Sequence, residues 1–170
     1  FGTEGGGITR LNNTTREVDY ITTKNTKLLK SDNIKALCVT TDEKLWIGTY
    51  ENGIAVYDLK TRLLEKNPLP KNLLKFLENV GVLSIEQYDD NHILLGTNYI
   101  GVIKYNFKTS VFKLFDSNTK PLGLTNNKVK TLKVDQKGNI WVGTLRGLNL
   151  IAKNGKIKNY IYSSDSKVKF

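Results

Sequence analysis

A repeated dipeptide constrains this chain more than any other feature. Gly-Thr occurs at Gly2-Thr3, Gly48-Thr49, Gly96-Thr97 and Gly143-Thr144, a period of about 47 residues, and periods of this size mark repeat architectures. The context repeats as well. Leu45-Trp46-Ile47, Ile93-Leu94-Leu95 and Ile140-Trp141-Val142 precede the later pairs, and Phe1 stands in the last of these slots in the first copy. A glycine and an apolar residue follow each time, as Gly7-Ile8, Gly53-Ile54, Gly101-Val102 and Gly147-Leu148.

Each unit reads as four strands. Strand A covers Ile34 to Val39, Val82 to Gln87 and Val129 to Val134. A polar turn such as Asp135 to Asn139 follows, where Gly138-Asn139 suits the positive φ of a tight hairpin. Strand B, the run that ends in Gly-Thr, is apolar at consecutive positions, as expected of a strand buried on both faces. Strand C begins at Ile54 or Val102, and a Lys-Thr turn (Lys60-Thr61, Lys108-Thr109) leads to strand D, for example Lys156 to Tyr160. No stretch has the 3.6-residue periodicity a helical solenoid requires. Four short strands per unit, apolar inside and polar outside, predict an all-β fold. The expected architecture is a β-propeller segment of about three and a half four-stranded antiparallel blades. It comprises a half-blade at 1–33 and blades at 34–81, 82–128 and 129–170.

Composition agrees with a globular domain, at 39% hydrophobic and 25% charged residues. No apolar run is long enough to span a bilayer, so no membrane contact is expected of this segment. Cys38 is the only cysteine, which rules out an internal disulfide and a cysteine-pair metal site. The net charge of +10 has two readings. Arg16, Arg62, Lys66, Lys113, Lys156 and Lys158 lie on or beside predicted outermost strands, where lysine discourages edge-to-edge pairing. The alternative is attraction of a polyanion. A nucleic-acid partner is not expected, because these residues are dispersed and lack a stacking motif.

The segment from Asp135 to Thr144 with Gly147-Leu148 resembles the two-component regulator propeller repeat. That repeat has an acidic turn, Gly-Asn, an aliphatic-Trp-aliphatic-Gly-Thr strand and a Gly-aliphatic start to the next strand. The second unit keeps Asp42 and Leu45 to Thr49 but has Glu43-Lys44 in place of Gly-Asn. The third replaces the tryptophan with Leu94. The resemblance implies a periplasmic sensor region of a hybrid histidine kinase, with an oligosaccharide as ligand and no cofactor.

Most other candidate chemistry has a simpler explanation. Gly2 to Gly7 lacks the Gly-Lys-Ser/Thr of a phosphate loop and reads as turn glycines. Asp89-Asp90 falls in an A–B turn, and His92, the only histidine, lies beside it without metal-ligating companions. Cys38 reads as a buried, unreactive residue. Trp46 and Trp141 could stack on sugars, but their place within apolar strands favours packing between blades.

A meandering blade places its B–C turns and D–A connections on one face, and these vary from unit to unit as a binding face on a rigid scaffold does. The B–C members include Tyr50, Glu51 and Asn52 in the second copy, Asn98 and Tyr99 in the third, and Arg146 in the fourth. Rings that stack on sugar faces and polar groups that fix hydroxyls suit an oligosaccharide, and Arg146 could add a fork for a carboxylate or sulfate. The D–A connection from Lys66 to Asn79 carries Pro68, Pro70 and an apolar Leu73–Leu77 cluster expected to pack on the blades. The competing readings are a non-catalytic scaffold for protein contacts and a propeller lyase; the lyase needs an acid–base pair that one turn histidine does not supply. With only half a first blade, both ends of the arc are expected to expose apolar faces. These would be covered by the remainder of the propeller or by another copy of the chain.

Overall fold

The computed structural model describes residues 1–161. The half-blade is β1 (Ile8–Leu11) and β2 (Val18–Ile21). Blade 1 is β3 (Ile34–Val39), β4 (Lys44–Thr49), β5 (Ile54–Asp58) and β6 (Leu63–Leu64). Blade 2 is β7 (Val82–Asp89), β8 (His92–Thr97), β9 (Val102–Asn106) and β10 (Val111–Phe115). Blade 3 is β11 (Val129–Val134), β12 (Ile140–Thr144), β13 (Gly147–Ile151) and β14 (Ile157–Tyr160). Every neighbouring pair within a blade is antiparallel and in chain order. This is the expected propeller segment; the span predicted for blade 3 runs on to Phe170, outside the described residues.

The B strands alternate between two buried faces. In β4, Trp46 packs toward blade 2 with Tyr105, their ring centroids 6.4 Å apart, while Ile47 packs with Ile8 and Leu29 toward the half-blade. In β8, Ile93 and Leu95 join the blade 1 side, whereas Leu94 meets Leu132 and Val142 of blade 3. Burial on both sides explains why these strands show consecutive apolar residues rather than alternation.

The geometry gives each half of the Gly-Thr motif a separate task. A Cβ on Gly48 would lie 2.5 Å from the Val82 carbonyl oxygen, and one on Gly96 would lie 2.7 Å from Val129 Cγ1. Glycine is needed there because the next blade comes that close. The threonine closes the B–C turn: Thr49 Oγ1 donates to Gly53 O (3.0 Å) and Thr97 Oγ1 to Gly101 O (2.8 Å). It also accepts the turn N–H of Asn52 or Ile100.

The other turns have equally local causes. Asp58 Oδ1 accepts the N–H groups of Lys60 and Thr61, and Asn106 Oδ1 those of Lys108 and Thr109. A short side-chain acceptor two to three residues upstream is what an Asx turn requires. The six basic edge residues named from the sequence are all exposed. The chain leaves blade 1 after the two-residue β6, passes Pro68 and Pro70, and forms α1 (Lys71–Phe76). Leu73 and Leu77 are buried against blades 1 and 2, as expected of that apolar cluster.

One expectation needs correction. Cys38 is half-buried rather than buried, because it lies on β3, the edge strand of blade 1, which has a paired neighbour on one side only. Trp141, in the register position of Trp46, stacks among the described residues on Tyr160 of its own blade, centroids 6.0 Å apart, and its Nε1 donates to Asp135 Oδ2. Among the described residues no further blade covers that side, and Leu148 and Tyr160 on it are exposed.

Candidate functional site

The B–C turns and D–A connections come together on one face, and between blades 2 and 3 they line an open, shallow cavity of about 420 Å³. The B–C turn of blade 2 supplies Asn98 and Tyr99, and the turn of blade 3 supplies Leu145 and Arg146. The connection between these blades supplies Ser117 and the run from Thr125 to Lys128. Tyr99 is 67% exposed, a large ring held at the rim with little to cover it.

The walls are fixed by a buried polar clamp. Asn149 is fully buried at a position that corresponds in register to Ala55 of blade 1 and Ile103 of blade 2. Its Oδ1 accepts the Thr125 N–H (2.7 Å), and its Nδ2 donates to Val142 O (3.0 Å). The hydroxyls of Thr125 and Thr144 are 2.8 Å apart; Thr144 donates to Gly147 O, so Thr125 is the donor between them. Leu145 N–H donates to Lys128 O (3.0 Å). The connection and the B–C turn are thereby tied into one unit. A satisfied buried network of this kind rigidifies the groups it joins.

The six residues singled out from the sequence do not form one site. Asn98, Tyr99 and Arg146 line the cavity between blades 2 and 3. Asn98 is buried, and its Oδ1 accepts the Gly81 N–H (2.9 Å), so that half of its amide serves the fold. Asn52 lies instead at a separate cavity of about 480 Å³ beside α1, lined also by Lys30, Glu65 and Leu74. The Tyr50 ring is capped by Lys35, whose Nζ sits 5.2 Å from its centroid and also pairs with Glu4. Glu51 is exposed and lines neither cavity.

Sequence reasoning passed over Ser117 and the Thr125-Asn126-Asn127-Lys128 run. The available signal was the density of amides and hydroxyls in a connection on the variable face.

His92 and its neighbours are on the opposite face. Its Nδ1 faces Asp89 Oδ1 (2.8 Å) and its Nε2 faces Asn106 Nδ2 (3.0 Å), so both ring nitrogens are engaged within the hairpin turns. Among the described residues no group of three or more His, Cys, Asp or Glu side chains gathers in a way that could hold a metal ion. No helix among them is long and apolar enough to cross a membrane.

Residues 28–51 and 123–146 match the two-component regulator propeller, and each match spans the end of a D–A connection, strands A and B, and the following turn. The chain thus carries two-component regulator propeller repeats. It is 37% identical over 174 aligned residues to histidine kinase P4 of Formosa agariphila, an alignment that takes in 97% of this chain and 12% of the relative. The chain thus spans about an eighth of the length of that curated relative.

Among solved structures it resembles the extracellular domains assigned to two hybrid two-component systems of B. thetaiotaomicron. Their TM-scores are 0.72 and 0.74 at 21% identity, over 95% and 97% of this chain and 22% and 21% of theirs. A virginiamycin B lyase from Staphylococcus aureus has a TM-score of 0.64 at 12% identity, over 95% of this chain and 50% of the lyase. At such identities the structural likeness establishes the propeller fold alone.

Proposed function

We propose that this chain is a ligand-sensing, extracytoplasmic propeller segment of a two-component sensor histidine kinase. We propose further that it binds an oligosaccharide at the cavity between blades 2 and 3. The observation that carries the reading is the exposed Tyr99 ring at the rim of a rigidly braced polar cavity. An aromatic face beside fixed hydrogen-bonding groups is the arrangement a saccharide demands, because a sugar offers one apolar face and a periphery of hydroxyls. The likeness to histidine kinase P4 and to extracellular domains of two-component systems supports the sensor role. The reading is of a binding segment rather than a catalytic one. His92 lies on the face away from the cavity, with both ring nitrogens engaged in its hairpin.

Calorimetric titration of the chain with a panel of oligosaccharides tests this. Tyr99→Ala should weaken binding by about 1–3 kcal/mol, the scale of a hot-spot truncation. Tyr50→Ala should leave it unchanged, since Tyr50 does not line that cavity. Unchanged affinity in Tyr99→Ala would overturn the assignment.

A further inference from the structure

The polar groups of the cavity between blades 2 and 3 are biased toward donors. Asn98, Asn126 and Asn127 all line it. In each, the side-chain carbonyl oxygen accepts a backbone N–H. Gly81 N–H donates to Asn98 Oδ1 at 2.9 Å, Lys128 N–H to Asn126 Oδ1 at 2.8 Å, and Ser117 N–H to Asn127 Oδ1 at 2.7 Å. A backbone N–H can only donate, so these bonds fix the amide orientation and rule out the flipped alternative. The three amide nitrogens are left as donors, and none has an acceptor among the described residues. Among the described residues, the ionisable side chains that line the cavity besides the Tyr99 phenol are Lys128 and Arg146, and none is a carboxylate. Neither cation has an acidic partner among the described ion pairs, whereas Lys35, Lys44 and Lys133 elsewhere in the chain do.

A cavity lined by the partly exposed amides of Asn126 and Asn127 and by two cations is matched to a ligand that offers acceptors and negative charge. A guanidinium fork and an ammonium both form stronger, charge-assisted bonds to an oxyanion than to a hydroxyl. We infer that this cavity binds an oxyanion carried on a sugar, a uronate carboxylate or a sulfate ester, through Arg146, Lys128 and the amides of Asn126 and Asn127. This rests on the saccharide reading above and narrows it to acidic sugars, with Tyr99 stacking on the ring that bears the charged group.

The test titrates the chain with digalacturonate, galactose 6-sulfate, neutral galactobiose and inorganic sulfate alone, following ¹⁵N-labelled backbone and side-chain amide signals. At least one acidic sugar should bind tenfold or more tightly than galactobiose, with affinity falling as salt is raised. The acidic sugar that binds identifies the source of the oxyanion. Arg146→Gln and Lys128→Gln should each reduce that preference toward unity, and both side chains are on the surface of the cavity, so folding is not at stake. Inorganic sulfate should shift the Asn126 and Asn127 side-chain signals. Equal binding of acidic and neutral sugars, with no response to sulfate, would overturn the inference and leave the saccharide reading standing. A response to sulfate with no binding of any sugar would keep the anion site and remove the sugar from it, contradicting the inference as stated. No response to any of the four probes would overturn both.

Discussion

Replacing Gly48 with alanine tests whether the glycine of the repeat exists to let one blade approach the next. The added methyl would lie 2.5 Å from the Val82 carbonyl oxygen and 3.2 Å from both Val82 Cγ1 and Ala36 Cβ. Ordinary contact starts near 3.4 Å, so blade 2 would have to move by most of an ångström, and a backbone carbonyl in a strand cannot rotate away. Overpacking of this kind costs about 1–3 kcal/mol. Alanine regains about 0.4–1 kcal/mol by restricting the unfolded chain, leaving a net loss of about 1–2 kcal/mol. Gly143 is the internal control, because it holds the same place in the repeat but no described blade lies beyond it. A Cβ there meets Thr131 Cγ2 at 2.7 Å, a methyl on an exposed side chain that can turn aside, and the Thr131 carbonyl oxygen at an ordinary 3.9 Å. Gly143→Ala should therefore fall within about 0.5 kcal/mol of the parent. Urea unfolding of the chain, followed by the fluorescence of Trp46 and Trp141, gives both values. Equal losses in the two variants would refute the argument, since they would place the cost in the strand itself rather than in the approach of the next blade.

Two other groups make checkable claims. The Asp135 carboxylate accepts bonds from the Asn139 side chain, the Asn139 N–H, the Trp141 indole and the Lys137 N–H, which hold its pKa down at about 2. Its folded-state pKa is depressed, so its contribution to the hairpin is fully present above the ordinary carboxylate range near pH ~4. That contribution is lost as pH falls through about 2, and an NMR titration should show the Trp141 indole N–H signal moving with that midpoint; movement centred near pH ~4 would contradict the hydrogen bonding described. Burial pushes the Cys38 thiol above its usual range, which lowers its thiolate fraction at neutral pH. A thiol reagent should label it several-fold more slowly than free cysteine at pH ~8, near the unperturbed thiol pKa, and labelling as fast as the free amino acid would show that its packing against Trp46 and blade 2 is absent.

Much of this architecture was legible in the sequence because its causes are local and repeated. Gly48 and Gly96 are forced by the next blade, Thr49 and Thr97 close the turns that follow, and each recurs wherever the same contact recurs. The three strand-A starts at Ile34, Val82 and Val129 are where periodicity placed them. The cavity was harder to read, because its residues do not repeat. Asn126 and Asn127 lie in an irregular connection, and their amides matter only through the backbone N–H groups that orient them. Asn98 and Asn149 look alike as polar residues near apolar strands. In the structure, one shares its amide between the fold and the cavity, while the other is wholly internal. Tyr50 and Tyr99 hold neighbouring slots in the repeat and both are exposed, yet only Tyr99 lines the cavity between blades 2 and 3, while Tyr50 lies beside Lys35. Trp141 follows the repeat in sequence, and among the described residues its ring partner is Tyr160 of the same blade.

The central claim is that ligand is read on the B–C face between blades 2 and 3. Chemical-shift mapping of the ¹⁵N-labelled chain during titration with a binding oligosaccharide measures this directly. The largest perturbations should fall on Tyr99, on Asn126 to Lys128 and on Arg146, with the turns around Asp89, Asn106 and Asp135 unmoved. Perturbations concentrated on those opposite-face turns, or around Asn52 and α1, would contradict it.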